Sequence, residues 1–445
     1  MAAQPTVTPM DSSTPKKPSS KPKGPAPYTF DDLILIRATV PEVIQQTWTN
    51  NMEEWAKGVP LPQYHARERL LASTAFSSEG RLITWILVPK LDADVTTAYK
   101  EHTTAAAENQ DQNKEKGVRG GFDPKDVTEE NLDRILGAVE TYERPGIMAT
   151  SGEGDDSIKQ VSSMSVASVY APSKYRNHGY GKLMMRLLWQ EIGNKGASFS
   201  FLYSDLGPHF YGNFGWTART STEIVIPPAM ALPSPRSICT SATESTRTTR
   251  ASTKDVALES VTAESLQELV ERDAQLLQET MKSKVQNEPS KTTFVAVTPE
   301  VRAFQWFHAR AWFYAKDILK FKDAEMKELN YGVRVPGTKD EFVLWHHDFT
   351  DDNLFILRWR IGASMSLDNT GDSDTTALAF VQAAQQEAKK WKLSKIVYWN
   401  ADESLAKLLN LEIKYRNHSI PCLGFLKPSE HSDKVEWIMN EKYSW

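Results

Sequence analysis

The stretch Tyr175-Arg176-Asn177-His178-Gly179-Tyr180-Gly181-Lys182 decides how the first half of the chain can fold. It follows an apolar run at residues 161–170 that predicts a β-strand, and it precedes apolar residues at helical spacing. A glycine-bearing turn between a strand and a helix leaves the N–H groups of the first helical turn open to an anion. Arg176 and Lys182 add positive charge, so the turn is suited to bind a diphosphate.

The turn has the pattern Arg-x-x-Gly-x-Gly, which differs from two other phosphate-binding motifs. It is not a Walker loop, because Arg176 stands in place of the first glycine and Leu183 follows the lysine. It is not a Rossmann fingerprint, because Met184 stands in place of the third glycine. A strand-to-helix loop whose glycines serve only packing is the alternative. The strand predicted at residues 199–203 favours the binding role, because strand, helix and strand in succession imply parallel pairing beside the turn.

Composition places the chain among globular proteins and excludes several classes of partner. Its 445 residues are 40% hydrophobic with a formal net charge of −5, which predicts two domains and no nucleic-acid partner. No apolar stretch is long enough for a membrane span, and the first 30 residues resemble neither a secretory nor a mitochondrial signal, so we expect a cytoplasmic protein. Cys239 and Cys422 cannot build a thiolate zinc site, and we expect no metal.

Changes in composition predict the domain organisation. Residues 1–30 form a disordered tail, residues 31–228 a first domain of mixed α/β structure, and residues 229–255 a linker rich in Pro, Ser and Thr. A polar insertion covers about residues 90–130 of the first domain. A helix is expected to begin at a capping box, Thr39-Val40-Pro41-Glu42, and a strand at residues 224–226 is expected to close the domain.

Residues 256–445 form a second domain that echoes the order of elements in the first. A hairpin at residues 342–360 is followed by a helix at 378–391 and a strand at 396–399. The segment ahead of that helix contains Asp368, Asp372 and Asp374 but no Arg or Lys. These carboxylates would repel a diphosphate, so we predict no second cofactor site and expect this domain to cover or complete the pocket for the acceptor.

Residues 168–216 resemble the central motif of the GNAT superfamily of N-acetyltransferases, within a similarity that covers about residues 30–228. The resemblance implies a GNAT fold, an α/β (α+β) mixed sheet, followed by a degenerate GNAT-like second domain, with acetyl-CoA as co-substrate. It also implies that the strand before the turn splays from its neighbour and pairs with the pantetheine arm through Ser168, Val169 and Tyr170. The coenzyme diphosphate would lie on Arg176, Asn177, His178, Gly179, Tyr180, Gly181 and Lys182.

The same resemblance assigns a proton donor, Tyr211. In this superfamily a tyrosine shortly after the next strand protonates the departing thiolate of coenzyme A, and Tyr211 stands at that position. A phenol with a pKa near 10 can donate to a thiolate leaving group. The alternative is an aromatic core residue beside Phe210 and Phe214.

The general base is less clearly indicated. The strand that contains Glu140 and Glu143 precedes the cofactor strand, and by alternation only one of the two carboxylates faces the splay. We favour Glu140, because Val139 and Thr141 flank it within the clearer part of the strand. A solvated strand carboxylate is the alternative for both. His209 is a lesser candidate, and Asp205 is expected to serve a turn.

The C-terminal run, residues 435–445, resembles the tail of fungal lysine Nε-acetyltransferases, which act on the free amino acid. The expected partner is therefore a small-molecule amine such as lysine, and Glu436 or Glu441 could receive an ammonium group. Arg144 could bind a substrate carboxylate, although a structural role is the alternative for all three. Another small amine, a protein lysine, and a non-catalytic acyl-CoA-binding or scaffold protein remain open.

Overall fold

The computed structural model describes residues 28–90, 132–152, 158–233, 256–362, 371–427 and 431–444. Residues 1–27 of the predicted N-terminal tail, nearly all of the polar insertion and most of the linker lie outside these residues, as do Asp368 and Trp445. Among the described residues, no helix is both long and apolar enough to cross a bilayer.

Three helices and five strands form most of the first half. They are β1 (Leu33–Arg37), α1 (Pro41–Trp55), α2 (Leu61–Ser73), β2 (Leu82–Pro89), β3 (Gly137–Thr150), β4 (Lys159–Tyr170) and β5 (Phe199–Ser204), with α3 (Tyr180–Asn194) between β4 and β5. The strands β6 (Thr217–Ala218) and β7 (Thr222–Ile226) follow. The capping box expected at Thr39 is wrong, because Val40 is the N-cap of α1 and makes no side-chain cap hydrogen bond. Pro41 starts the helix instead, since its fixed φ suits the first turn.

Strand β3 joins two segments that the sequence separates at Pro145 and Gly146. Its first part pairs with β2 as far as Tyr142, and its last part pairs with β9 (Thr292–Val297) from Gly146 onward. Pro145 stands where the strand changes partners, so its missing N–H interrupts neither ladder. The result is one long strand that lies within a continuous sheet and contains Glu140 in its first half.

The second half contributes a further set of strands and helices. The helices are α4 (Ala263–Asn287), α5 (Val301–Phe313), α6 (Asp323–Met326), α7 (Gly371–Lys390) and α8 (Glu403–Leu409). Besides β9, the strands are β8 (Glu259–Ser260), β10 (Gly332–Arg334), β11 (Glu341–Asp348), β12 (Asn353–Ile361), β13 (Lys395–Trp399), β14 (Lys414–Tyr415), β15 (Ile420–Phe425) and β16 (Lys434–Trp437). The parallel pairing of β12 with β13 repeats that of β4 with β5, as strand–helix–strand order requires.

The two halves exchange strands. The first sheet has the order β1-β2-β3-β4-β5-β15-β6, with β9 along the end of β3 and β16 beside β9. The second sheet has the order β14-β7-β13-β12-β11-β10-β8. Ile224 pairs with Tyr398 of β13, so the expectation that this strand closes the first unit is wrong. Strand β15 of the second half takes the place beside β5, where Cys422 and Leu423 are buried.

Helices cover both faces of the first sheet. Met184, Leu188 and Ile192 of α3 are fully or almost fully buried against one face, in a cluster that includes Val139 and Leu202. The opposite face is covered by α1 and α2, which pack over β2 and the start of β3. Burial of each large apolar side chain contributes about 1.5–3 kcal/mol, so these faces hold the end of β4 in place.

Candidate active site

Strands β4 and β5 separate at one end of the first sheet. Their parallel ladder runs from Ser163 opposite Phe199 to Val166 opposite Leu202, yet β4 continues to Tyr170 and β5 to Ser204. A bulge at this point gives Ser168 a φ of +53° and shifts the register between β3 and β4. On the side that faces β5, the backbone of residues 167–170 therefore has no strand partner, which suits an extended ligand that carries amide groups.

The turn after β4 presents a helix N-terminus at the same end of the sheet. Gly179 is the N-cap of α3 with a φ of +83°, and its carbonyl accepts the first helical hydrogen bond from Leu183. The N–H groups of Tyr180, Gly181 and Lys182 thus have no acceptor within the helix. A Cβ atom at position 181 would have no neighbour within 4 Å, so packing does not require this glycine. The turn fits a diphosphate that approaches the backbone closely.

Acidic side chains hold the arginine of this turn. Nη2 of Arg176 donates hydrogen bonds to Oε1 of Glu53 at 2.7 Å and of Glu54 at 3.2 Å, and its Nε donates to the carbonyl of Ala171 at 2.9 Å. The hydroxyl of Tyr170 also donates to Glu53. Since Arg176 is partly exposed, a bound diphosphate would compete with these two carboxylates for the guanidinium.

Tyr180 connects the turn to the segment before β1. The Tyr180 hydroxyl donates to the carbonyl of Tyr28 at 3.0 Å and accepts from its N–H at 3.1 Å, and the His178 ring lies beside Tyr180. Asn177 adopts a φ of +69°, which helps the chain turn into the helix. Val169 packs against the core and Lys182 is exposed, so of these residues Lys182 has a side chain free to reach an anion in solvent.

Glu140 lies at the bulge, opposite Ala167 of β4, and only 8% of the residue is exposed. Its Oε2 accepts a hydrogen bond of 2.8 Å from the Ser168 hydroxyl. Burial raises the pKa of Glu140 to about 7, the nearby Glu68 carboxylate adds to the rise, and contacts from Ser168 and Trp48 oppose it. A carboxylate that titrates near neutrality can take a proton from a substrate at physiological pH.

Tyr211 lies on the other face of the sheet, against α3. It begins a short 3-10 turn, Tyr211–Phe214, and packs in the cluster that contains Leu202 and Met184. Within the described residues its hydroxyl makes no hydrogen bond. Burial raises the pKa of Tyr211 well above its usual value, so the phenol keeps its proton. Because Val139 faces α3 and Glu140 faces away, the acid and the base candidates flank the splay from opposite faces.

Both the second half and the chain as a whole are similar to known proteins. Residues 242–445 match the family model described as the LYC1 GNAT-like C-terminal domain. A lysine acetyltransferase of Yarrowia lipolytica is 23% identical over 92% of this chain and 99% of that protein. Residues 242–445 are thus similar to a GNAT-like domain, and nearly the whole chain is similar to a lysine acetyltransferase.

Two solved acyltransferase structures are among those similar to this chain. A GCN5-related N-acetyltransferase from Kribbella flavida has a TM-score of 0.45 at 14% identity, over 88% of this chain and 70% of that one. A probable N-acyltransferase from Enterococcus faecalis has a TM-score of 0.47 at 11% identity, over 89% of this chain and 73% of that one.

The other candidates for acid–base chemistry are exposed to solvent. Glu143 and His209 are exposed, and Glu143 accepts only a long hydrogen bond of 3.4 Å from Ser162. Asp205 accepts a hydrogen bond of 2.7 Å from the N–H of Ser419, which joins β5 to the segment before β15. A turn role therefore describes Asp205.

Arg144 and the two tail glutamates each lie beside an oppositely charged side chain, although Nε and Nη2 of Arg144 and Oε2 of Glu441 make no hydrogen bond within the described residues. Arg144 is fully buried, with its Nε 3.4 Å from Oε2 of Glu300. Glu441 accepts a hydrogen bond of 2.6 Å from Arg358, and Glu436 one of 2.5 Å from Lys284. These contacts give all three groups structural work within the described part of the chain. Arg144 Nη1 also donates to the carbonyl of Ser444 at 3.3 Å, which ties the C-terminal segment to β3.

The C-terminal segment lies between the two sheets, beside the end of β5. The Tyr203 hydroxyl is 2.8 Å from Oδ1 of Asn440 and 2.7 Å from the hydroxyl of Ser444. The C-terminal segment thus contacts the first residue of β5 that follows its ladder with β4. At the N-terminus of its own helix α7, Asp372 and Asp374 occupy the first turn. Among the described residues, no group of three or more His, Cys, Asp or Glu side chains could hold a metal ion.

The sequence missed the residues that enclose Glu140. Trp48 belongs to α1 and Glu68 to α2, and neither carries a motif that links it to a strand some 70 to 90 residues later. The sequence did not predict helix α2, because it has few apolar residues and charged residues interrupt their helical spacing. Only packing of α1 and α2 on the sheet brings these side chains to the base candidate.

Proposed function

We propose that this protein transfers the acetyl group of acetyl-CoA to a primary amine, with the ε-amine of free lysine as the acceptor. The observation that carries the proposal is the position of Glu140, a buried carboxylate beside the splay whose pKa is raised to about 7. A general base of this strength is what an amine acceptor requires at neutral pH.

The donor side of the site rests on backbone groups. The backbone of Ser168, Val169 and Tyr170, which lies beyond the last pairing with β5, would pair with the amides of the pantetheine arm, and the first turn of α3 would hold the diphosphate. Arg176 and Lys182 would supply the positive charge. Coenzyme A contributes the activated thioester, and these residues fix where its carbonyl meets the acceptor.

The acceptor must lose protons to react. A lysine side chain with a pKa near 10.4 is only about 0.04% neutral at pH 7. Glu140 would accept a proton from the amine as it attacks, directly or through one water molecule. Tyr211, on the opposite face, would donate its proton to the thiolate that leaves. The ammonium form would first release one proton to solvent. As the C–N bond forms and the C–S bond breaks, Glu140 would take one proton from the amine and Tyr211 would give one to the thiolate. Proton exchange with solvent would then restore both side chains, so that one proton is released for each acetyl group transferred.

A panel of amines tests the proposal. The full chain would be incubated with acetyl-CoA and with lysine, other small amines or a lysine-containing peptide, and release of the coenzyme thiol would be followed. Preferential turnover of lysine is expected. Turnover of the peptide alone would point to a protein lysine, and tight coenzyme binding without turnover on any amine would support a non-catalytic binding protein.

A further inference from the structure

Three buried polar groups of the second half face the end of β5 without hydrogen-bond partners. Among the described residues, no acceptor meets Nε, Nη1 or Nη2 of Arg416, no acceptor meets Nε1 of Trp399, and no hydrogen-bond donor meets Oε2 of Glu223. Arg416 is only 6% exposed. Buried polar groups are nearly always hydrogen-bonded, so a group of this kind indicates a bound molecule.

The three side chains are neighbours on one face of the second sheet. Glu223 of β7 stands directly opposite Trp399 of β13 in their antiparallel ladder. Arg416 follows β14, whose Tyr415 pairs with Thr222, and its guanidinium carbon lies 3.7 Å from the centroid of the Trp399 ring. Directly opposed side chains in an antiparallel pair share a face of the sheet, so the donors and the acceptor converge.

This cluster borders the splay in the first sheet. The rings of Trp399 and Tyr203 have centroids 5.7 Å apart. Tyr203 is the first residue of β5 beyond the last pairing with β4, which ends at Leu202. Arg416 is therefore linked to the end of β5 through two aromatic rings in sequence, Trp399 and Tyr203.

The charges around the cluster favour an anionic group. Nζ of Lys442 lies 4.3 Å from the centroid of the same Trp399 ring, so two cations flank this indole. Burial lowers the pKa of Arg416 to about 10, with Tyr203, Glu223 and Asp205 in electrostatic range. Asp205 is bonded to the N–H of Ser419, and Oε2 of Glu223 has only His418 Nε2 at 3.7 Å. Neither carboxylate hydrogen-bonds the guanidinium, which is an unfavourable arrangement that a bound carboxylate would relieve.

We propose that Arg416 and Trp399 Nε1 bind the α-carboxylate of a free amino acid and that Glu223 binds its α-ammonium group. This inference rests on the acetyl transfer proposed above. An extended lysine side chain spans roughly 6 Å from Cα to Nζ, comparable with the 5.7 Å between the ring centroids of Trp399 and Tyr203. The acceptor is accordingly an α-amino acid with a terminal amine. A diamine lacks the carboxylate, and a lysine within a peptide lacks both charged groups.

Two lysine analogues separate the roles of the two charged residues. With the full chain, thiol release would be measured for lysine, for 1,5-diaminopentane, which lacks the carboxylate, and for 6-aminohexanoate, which lacks the α-amine. We expect kcat/KM for lysine to exceed that of each analogue by roughly 100-fold. Arg416→Met should abolish the preference over 1,5-diaminopentane, and Glu223→Gln the preference over 6-aminohexanoate. Arg272→Gln, which removes a partly exposed arginine of α4 that is paired with Asp340, should change neither ratio.

Binding and stability provide a readout that does not depend on turnover. In the absence of ligand, Arg416→Met should melt at or above the wild-type temperature, because an unpaired buried charge is removed. Lysine should raise the Tm of the wild type and not that of Arg416→Met. The proposed binding of the α-carboxylate by Arg416 would be wrong if Arg416→Met kept the wild-type ratio of kcat/KM for lysine to kcat/KM for 1,5-diaminopentane. It would also be wrong if lysine raised the Tm of both proteins equally. If lysine bound but no amine was acetylated, the proposed amino-acid site would be supported and the proposed acetyl transfer would be wrong.

Discussion

The Ser168 hydroxyl donates a hydrogen bond of 2.8 Å to Oε2 of Glu140 across the β3–β4 ladder. Ser168 has a φ of +53° at the bulge where β4 leaves β5. A single backbone distortion thus opens the gap for an acyl donor and fixes the carboxylate beside it. Bulges often re-aim side chains next to active sites, and here the re-aimed hydroxyl orients the candidate base.

Replacing Glu140 by Gln should lower kcat roughly 10²- to 10⁴-fold, because the amide cannot accept the proton of the amine. For the wild type, kcat/KM should fall as the pH drops below about 7, since the carboxyl is then protonated. This acidic limb should be missing in the variant. Glu143→Gln is the matched control, because Glu143 is an exposed carboxylate on the same strand. Wild-type rates in Glu140→Gln would exclude its role as the base.

The same substitution should make the folded protein more stable at alkaline pH. The pKa of Glu140 rises from 4.5 to about 7 on folding, so the folded state binds the extra proton between these values. Stability therefore falls as the pH rises through this window, by up to roughly 3 kcal/mol above pH 7. The gain in Tm for Glu140→Gln over wild type should be largest near pH 8 and vanish near pH 4. A gain that is independent of pH would contradict the raised pKa.

Tyr211→Phe should lower kcat strongly and leave the Tm and the KM for acetyl-CoA close to wild type. The hydroxyl makes no hydrogen bond within the described residues, so its removal breaks no contact of the fold. Tyr443→Phe provides the contrast in stability, because the Tyr443 hydroxyl donates to the carbonyl of Val297 at 2.8 Å while buried. That variant should lose about 1 kcal/mol of unfolding free energy. Undiminished turnover in Tyr211→Phe would assign the residue to the core alone.

Two glycines of the turn should respond differently to alanine. Gly179→Ala should reduce both stability and coenzyme affinity, because its φ is +83° and a Cβ there would lie 2.9 Å from the Phe30 ring. Gly181→Ala should leave the Tm unchanged or slightly higher, because a Cβ there meets nothing within 4 Å. A lower affinity for coenzyme A in Gly181→Ala, measured by calorimetry, would then arise from the ligand. Unchanged affinity would move the diphosphate away from this backbone.

The exchanged strands predict that the two halves unfold together. Without β15, strand β5 loses six paired residues and the burial of Cys422 and Leu423, and without β7 the second sheet loses its link to β14. Residues 28–233 expressed alone should therefore lack a cooperative thermal transition, whereas the full chain should show one. Two separable transitions in the full chain would indicate that each half has an independent core.

Patterns local to the sequence predicted much of the fold. Residues 33–37, the glycine turn and the helix after it follow from alternation, turn chemistry and helical spacing, and the structure has β1 at Leu33–Arg37 and α3 at Tyr180–Asn194. The long β3 and the destination of β7 did not follow, because strand pairing depends on partners about 60 to 170 residues away. Periodicity describes which face a residue takes, and it carries no information about which strand lies beside it.

Short contiguous patterns predicted the proposed donor side, since the glycine turn and the strand before it are encoded by glycines and by alternation of apolar residues. The proposed acceptor side depends on how distant segments pack. This packing buried Glu140 and left Glu143 exposed, and it brought Glu223, Trp399 and Arg416 to the end of β5. The physical reason is that desolvation and unpaired polar groups arise only when distant segments pack together, and in this chain they arise where the halves exchange strands.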